Sequence, residues 1–171
     1  PAFAETAVKG EWKDGPGEKL FANVGGKGRI IAEDLGIMDD GVKALREKLG
    51  FPGMKVLLFA FDGNEKNEFL PENIGENSVC YTGTHDNDTV VGYVQTLATE
   101  DFLLFRSRVA QTLQEEGVYV KLGEHGEGFP EAFCRLALAS DARLVVLPVQ
   151  DLLGLGNEAR MNYPGTDDGN W

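Results

Sequence analysis

The stretch MKVLLFAF, residues 54–61, is almost continuously apolar, which leaves a β-strand no face to turn toward water. A strand of that kind must be covered on both sides. Three more runs share the character: RIIAE at 29–33, SVCYT at 78–82 and RLVVLP at 143–148. Helical signals lie between them. Asp39 or Asp40 caps a helix with Val42, Leu45 and Leu49 on one face, Gly50 past its end and Pro52 beyond. TVVGYVQTL (89–97) begins a second helix, and residues 100–116 form the longest. That one carries Phe102, Phe105, Val109 and Leu113 as a stripe, with Gly117 as its stop. Pro130 opens a further helix, PEAFCRLALAS. The first 28 residues read as loop around one short helix near Glu18–Asn23. Buried strands alternating with helices are the signature of parallel βα units, so an α/β fold is expected.

The chain has 171 residues, enough for one domain with a sizeable core. Its formal net charge of −12 argues against a nucleic-acid backbone and against an anionic membrane surface as partner. A neutral or cationic ligand fits better. No apolar run approaches the length of a bilayer span. Cys80 falls in a strand and Cys134 in a helix, where both read as small buried hydrophobes in a reducing compartment. The cytoplasm is the expected setting. Pro1 in place of Met, and the loop-like YPGTDDGN before Trp171, make the chain read as a piece of a longer protein.

Two of the apolar runs end on acids. IIAEDLG stops on Glu33 and Asp34, and SVCYTG runs into THDND. In parallel α/β folds ligands bind beyond the C-terminal ends of the strands, so Glu33, Asp62 and Asp86 are placed to line one mouth. Breaking a glycosidic bond needs such a set: one carboxylic acid to protonate the leaving oxygen and carboxylates to face the positive sugar. The same residues also fit a plainer role, with Glu33 and Asp34 capping the next segment and DND forming an Asx-rich turn. His85-Asp86-Asn87-Asp88 offers metal-ligand chemistry, but the only other histidine is His125, in the GEHGEG loop. No metal is expected. GLGNEA (154–159) lacks the strand-to-helix setting of a dinucleotide fingerprint, and GPGEKL lacks the Lys-Ser/Thr ending of a phosphate loop. Phe59, Phe61 and Tyr81 read as core, with one near a strand end able to stack on a sugar ring.

Taken together, GEKLF, IIAEDLG, FPGMKVLLFAFDG, YTGTHDNDT and QDLLGLGNEARMNYPGT resemble, in order, the 4-α-glucanotransferases, or amylomaltases, of glycoside hydrolase family 77. The resemblance runs from Pro1 to Trp171. It implies the C-terminal part, about strands five to eight, of a (β/α)8 TIM barrel of the α-amylase type, with residues 1–171 as one partial catalytic domain. It implies transfer of a 1,4-α-glucan segment to the 4-hydroxyl of an acceptor by a retaining double displacement. Glu33 matches the family's general acid/base and Asp86 its transition-state-stabilising carboxylate. His85, Asp34, Phe59 and Asn162 match sugar contacts. Maltooligosaccharides and 1,4-α-glucans are the implied partners, and no organic cofactor is implied.

One element of the family pattern is missing. The nucleophile is an aspartate in an Arg-x-Asp-His segment, and no arginine here is followed two residues later by aspartate. The chain alone is therefore expected to be a poor catalyst, and a half-barrel with open edges is expected to self-associate. A related α-glucan hydrolase and a non-catalytic glucan-binding piece are the alternative readings.

Overall fold

A computed structural model of the chain describes residues 9–10, 13–24, 27–36 and 38–171. Part of the loop expected over the first 28 residues lies outside them. Helix α1 (Glu18–Phe21) is the short helix expected there. Helix α2 (Asp40–Leu49) follows, and of the two candidate caps Asp39 is the one used, its side chain accepting from the Val42 amide at 2.8 Å. Gly50 closes α2 in the left-handed region (φ 69°), which a side chain would resist. No residue of α2 is fully buried, and Val42 on the expected inner face is 44% exposed. Among the described residues α2 meets α1, and just past its end Phe51 makes a ring contact with Phe21 at 5.2 Å.

Three strands form the sheet: β1 (Gly53–Val56), β2 (Ser78–Tyr81) and β3 (Leu144–Val146), in the order β1-β2-β3 and all parallel. Each is shorter than the apolar run that announced it. The expected strand over 54–61 leaves the sheet after Val56 and winds into a 3₁₀ turn at Leu57–Phe59. Leu57, Leu58, Ala60 and Phe61 nonetheless stay buried, so the run signals a covered path rather than one conformation. RIIAE does not form a full strand among the described residues; a single parallel bridge joins Ala32 to Gly53. Beyond it, the Asp34 carboxylate accepts from the Met54 amide at 2.7 Å and pairs with Arg46, tying this stretch to β1 and α2.

Helices α3 (Val90–Thr96), α4 (Thr99–Glu115), α5 (Phe129–Ala139) and α6 (Val149–Leu152) complete the order, with α5 packed on α3, α4 and α6. The stripe expected on α4 faces inward: Phe105, Val109 and Leu113 are buried and Phe102 lies against them. Phe105 stacks on Phe129 at 5.7 Å and meets Phe61 edge-on at 5.6 Å, while Phe61 also touches Phe133 at 5.4 Å. Each such ring contributes about 1.5–3 kcal/mol by leaving water. This aromatic cluster anchors the helices on the sheet and so fixes the strand ends. Cys80 and Cys134 are both buried and unpaired, and burial pushes each thiol up to about 11. Among the described residues no helix is long and apolar enough to cross a membrane.

Candidate active site

An open cavity of about 780 Å³ lies past the C-terminal ends of the strands. Its wall takes in Glu33, Phe59, Tyr81, residues 83–89 and the segment around Pro148–Asp151, Arg160 and Met161. That size suits a ligand of several rings. Glu33 and Asp86, acids following two different apolar runs, thus reach one space, whereas Asp62, expected beside them, does not line it and accepts instead from the Asn64 amide at 2.9 Å. Glu33 and Asp86 are both exposed in it. Phe59 is 42% exposed at the wall and held from behind by an edge contact to Phe69 at 5.6 Å. His85 lines the same wall, its Nε2 3.3 Å from Asp86 Oδ1 and its ring 5.1 Å from that of Trp171.

Residues 83–89 belong to no helix or strand, so their shape must come from side chains. Locally, Asn87 Oδ1 accepts from the Thr84 amide (2.9 Å) and hydroxyl (2.8 Å), so the turn that the plainer reading put at DND closes backward on Thr84 and is not of the Asx type. Thr89 caps α3, accepting from the Gly92 amide at 3.0 Å. The turn and the cavity wall are the same structure, so the two readings do not compete.

The rest of the support comes from residues 151–162, far along the chain. Buried Asp151 accepts from the Thr82 hydroxyl (2.5 Å) and the Val90 amide (2.8 Å), joining the loop's two ends. Its burial raises the carboxyl above the usual aspartate range, against the pull of those two bonds. Asn157 Oδ1 accepts from the Thr89 amide at 3.2 Å. Arg160 pairs with Asp88 at 2.5 Å and donates to the Asp86 carbonyl at 2.7 Å. Asn162 Nδ2 donates to Asp86 Oδ1 at 2.5 Å. Two of the quoted motifs, YTGTHDNDT and QDLLGLGNEARMNYPGT, are therefore one physical unit.

Of the six residues singled out, Glu33, Phe59, His85 and Asp86 line the cavity, and Asn162 reaches it through its bond to Asp86. Asp34 lies apart from them, its side chain 7% exposed and engaged by Arg46 and Met54. Asp151, Asn157 and Arg160 escaped the sequence reading. The signal available for them was the motif they share, since partners 61 to 74 positions away leave no periodicity. Among the described residues no group of three or more His, Cys, Asp and Glu is gathered as a metal would need.

Gly92 shows how closely this unit is fitted. A Cβ there would lie 1.9 Å from Asn157 Oδ1, so Gly92→Ala forces the amide away and leaves the Thr89 N–H unpaired. A loss of about 1–3 kcal/mol is expected, read as a lowered melting temperature of the intact protein. An unchanged melting temperature would show that the Asn157 contact carries no weight.

Comparison with known proteins settles the family. The 4-alpha-glucanotransferase family model, glycoside hydrolase 77, matches residues 1–171. The chain belongs to the 4-alpha-glucanotransferase family. It is 46% identical to a 4-alpha-glucanotransferase of Thermus thermophilus over 176 residues, covering all of this chain and 34% of that protein. It is 44% identical to a 4-alpha-glucanotransferase of Synechocystis, covering all of this chain and 32% of that protein. The structure superposes on 98% of the chain with an amylomaltase from Streptococcus agalactiae in complex with acarbose, at a TM-score of 0.80 and 31% identity. The α/β fold with parallel strands is thus shared with an amylomaltase. The chain spans about a third of the length of these family members.

Proposed function

We propose that the intact protein carrying this chain is a 4-α-glucanotransferase that cuts a 1,4-α-glucan and passes the segment to the 4-hydroxyl of an acceptor glucan or glucose. The observation that carries the reading is the meeting of Glu33, Asp86, His85 and Phe59 on one cavity wall. In the first step a carboxylate supplied from outside these residues attacks the anomeric carbon. The bond to the leaving oxygen breaks as Glu33 delivers its proton there, and a glycosyl ester remains. In the second, the acceptor 4-hydroxyl attacks the same carbon, Glu33 takes its proton, and the ester bond opens. Two inversions retain the α-linkage. Asp86 faces the developing positive charge, while Phe59 offers a ring face and His85 a hydrogen bond to sugar.

We place these residues at about strands five to eight of a (β/α)8 barrel. Ala32, β1, β2 and β3 supply four successive parallel positions. The outer strand supports this placement, because Leu144 and Val146 on β3 are 48% and 39% exposed, apolar groups that a closed barrel would cover. Self-association of the isolated chain would use that same edge. The reducing environment that two buried, unpaired thiols suit is the cytoplasm.

The test is maltotriose incubated with the intact protein, its products resolved by length. Shorter and longer oligosaccharides together are the expected result. Glucose and maltose without longer products would make the protein a hydrolase, and bound but unaltered maltotriose would make it a glucan-binding protein.

A further inference from the structure

Arg160 lies at the centre of the contacts that shape the loop over 83–89. Its side chain is 15% exposed and its guanidinium donates through all three nitrogens: Nη1 to Asp88, Nη2 to the Asp86 carbonyl, and Nε to the Asn162 carbonyl at 2.8 Å. Its face lies 4.6 Å from the centre of the Tyr163 ring. A side chain so engaged has one geometry available.

We propose that Arg160 is a positioning residue for the glycosyl-transfer site, acting through Asp86. Beside the His85 Nε2 contact to Oδ1 and the bond from the Asp86 amide to Thr84 Oγ1, both at 3.3 Å, two bonds from this segment place the Asp86 carboxylate. One holds its backbone, from Arg160 Nη2 at 2.7 Å, and the other holds its side chain, from Asn162 Nδ2 at 2.5 Å. Arg160 governs both, the first directly and the second by fixing the Asn162 carbonyl. Asp88 in turn orients the guanidinium, so the negative charge two residues past Asp86 serves as its anchor. Lysine cannot substitute, because a single ammonium on a flexible stem cannot reach three acceptors in a plane. The inference rests on the transferase reading, since what Arg160 positions is the carboxylate that reading assigns to the transition state.

Steady-state kinetics on maltotriose with the intact protein tests it. Arg160→Lys is expected to lower kcat by roughly 10²-fold, the scale of a small misplacement of a reacting group, while KM holds. Arg160→Ala is expected to recover part of its rate when guanidinium is added at non-denaturing concentration. Asp88→Asn retains Arg160 and weakens only its anchor, and should lower kcat about tenfold, the value of one charge-assisted bond. It serves if the Arg160 variants do not fold. Arg135→Lys, in the exposed Glu131–Arg135 pair on α5, is the neutral control. A raised KM at unchanged kcat would mean that Arg160 binds sugar directly and would overturn the proposal. So would a normal kcat in Arg160→Lys or Asp88→Asn, or a loss without rescue that tracks the melting temperature alone. If the unaltered protein forms no oligosaccharide ladder, it is the transferase reading that has failed.

Discussion

Replacing Glu33 by glutamine should abolish most of the turnover of the intact enzyme, lowering kcat by roughly 10²- to 10⁴-fold on maltotriose. Glutamine preserves the size and polarity of the side chain and removes only the proton that moves. Glu33 directly follows Ala32, whose bridge to Gly53 fixes where the chain leaves the sheet. Its carboxyl is exposed at the cavity wall and, among the described residues, takes part in no ion pair or hydrogen bond that would hold the fold. Stability should therefore be unaffected, and the loss should fall on chemistry. A donor whose leaving group needs no proton, such as an α-maltosyl fluoride, separates the roles. The first step should then run near its normal rate in Glu33→Gln, while transfer to the acceptor stays slow for want of a base. Near-normal rates on maltotriose would end the acid/base assignment.

Asp86→Asn has the second-largest expected effect, a fall in kcat of roughly 10²- to 10³-fold, as for loss of a group preorganised toward charge in the transition state. The surroundings make this substitution clean. Asp86 Oδ1 accepts from Asn162 and the Asp86 carbonyl accepts from Arg160, and asparagine keeps both acceptors. What disappears is the negative charge. If Asp86 only binds sugar, the change appears in KM with kcat intact, and the transition-state role is excluded. The two variants also differ in their response to the fluoride donor. Asp86→Asn should remain slow with it, because the positive sugar arises whatever leaves.

Much of the fold was legible because burial and caps leave local marks. The Asp39 cap, Gly50, the Pro130 helix start and the inward stripe of α4 all appear where pattern put them. Strand lengths were less legible. In MKVLLFAF, Val56 and Leu57 are equally buried, yet one is in the sheet and the other in a 3₁₀ turn. Apolarity records the covering of a residue and is silent on its backbone angles once both faces are covered. The site divides in the same way. Glu33 and Asp86 stood out because acids at the ends of apolar runs are locally odd, whereas Asp34, beside Glu33 in sequence, is taken up by Arg46 and the Met54 amide, partners that its own neighbourhood does not reveal. Arg160 and Asp151 form ordinary-looking stretches of sequence. Their meaning lies in partners 72 and 69 positions away.

Those separations bear on how the protein is born. During synthesis the residues over 83–89 emerge well before Asp151, Asn157, Arg160 and Asn162, and at ribosomal speeds of about 5–20 residues per second the interval is roughly 4–15 s. For that time the segment carrying Asp86 has only the Asn87 turn and the Thr89 cap to shape it. The sheet partners β1 and β2 can already have met, so the nascent chain passes through a stage with its scaffold laid down and its chemistry unset. Fixing of the loop over 83–89 is thus a late event in the translation of this region. A ribosome paused before Arg160 would display the cavity wall with the Asp86 carboxylate at no fixed address.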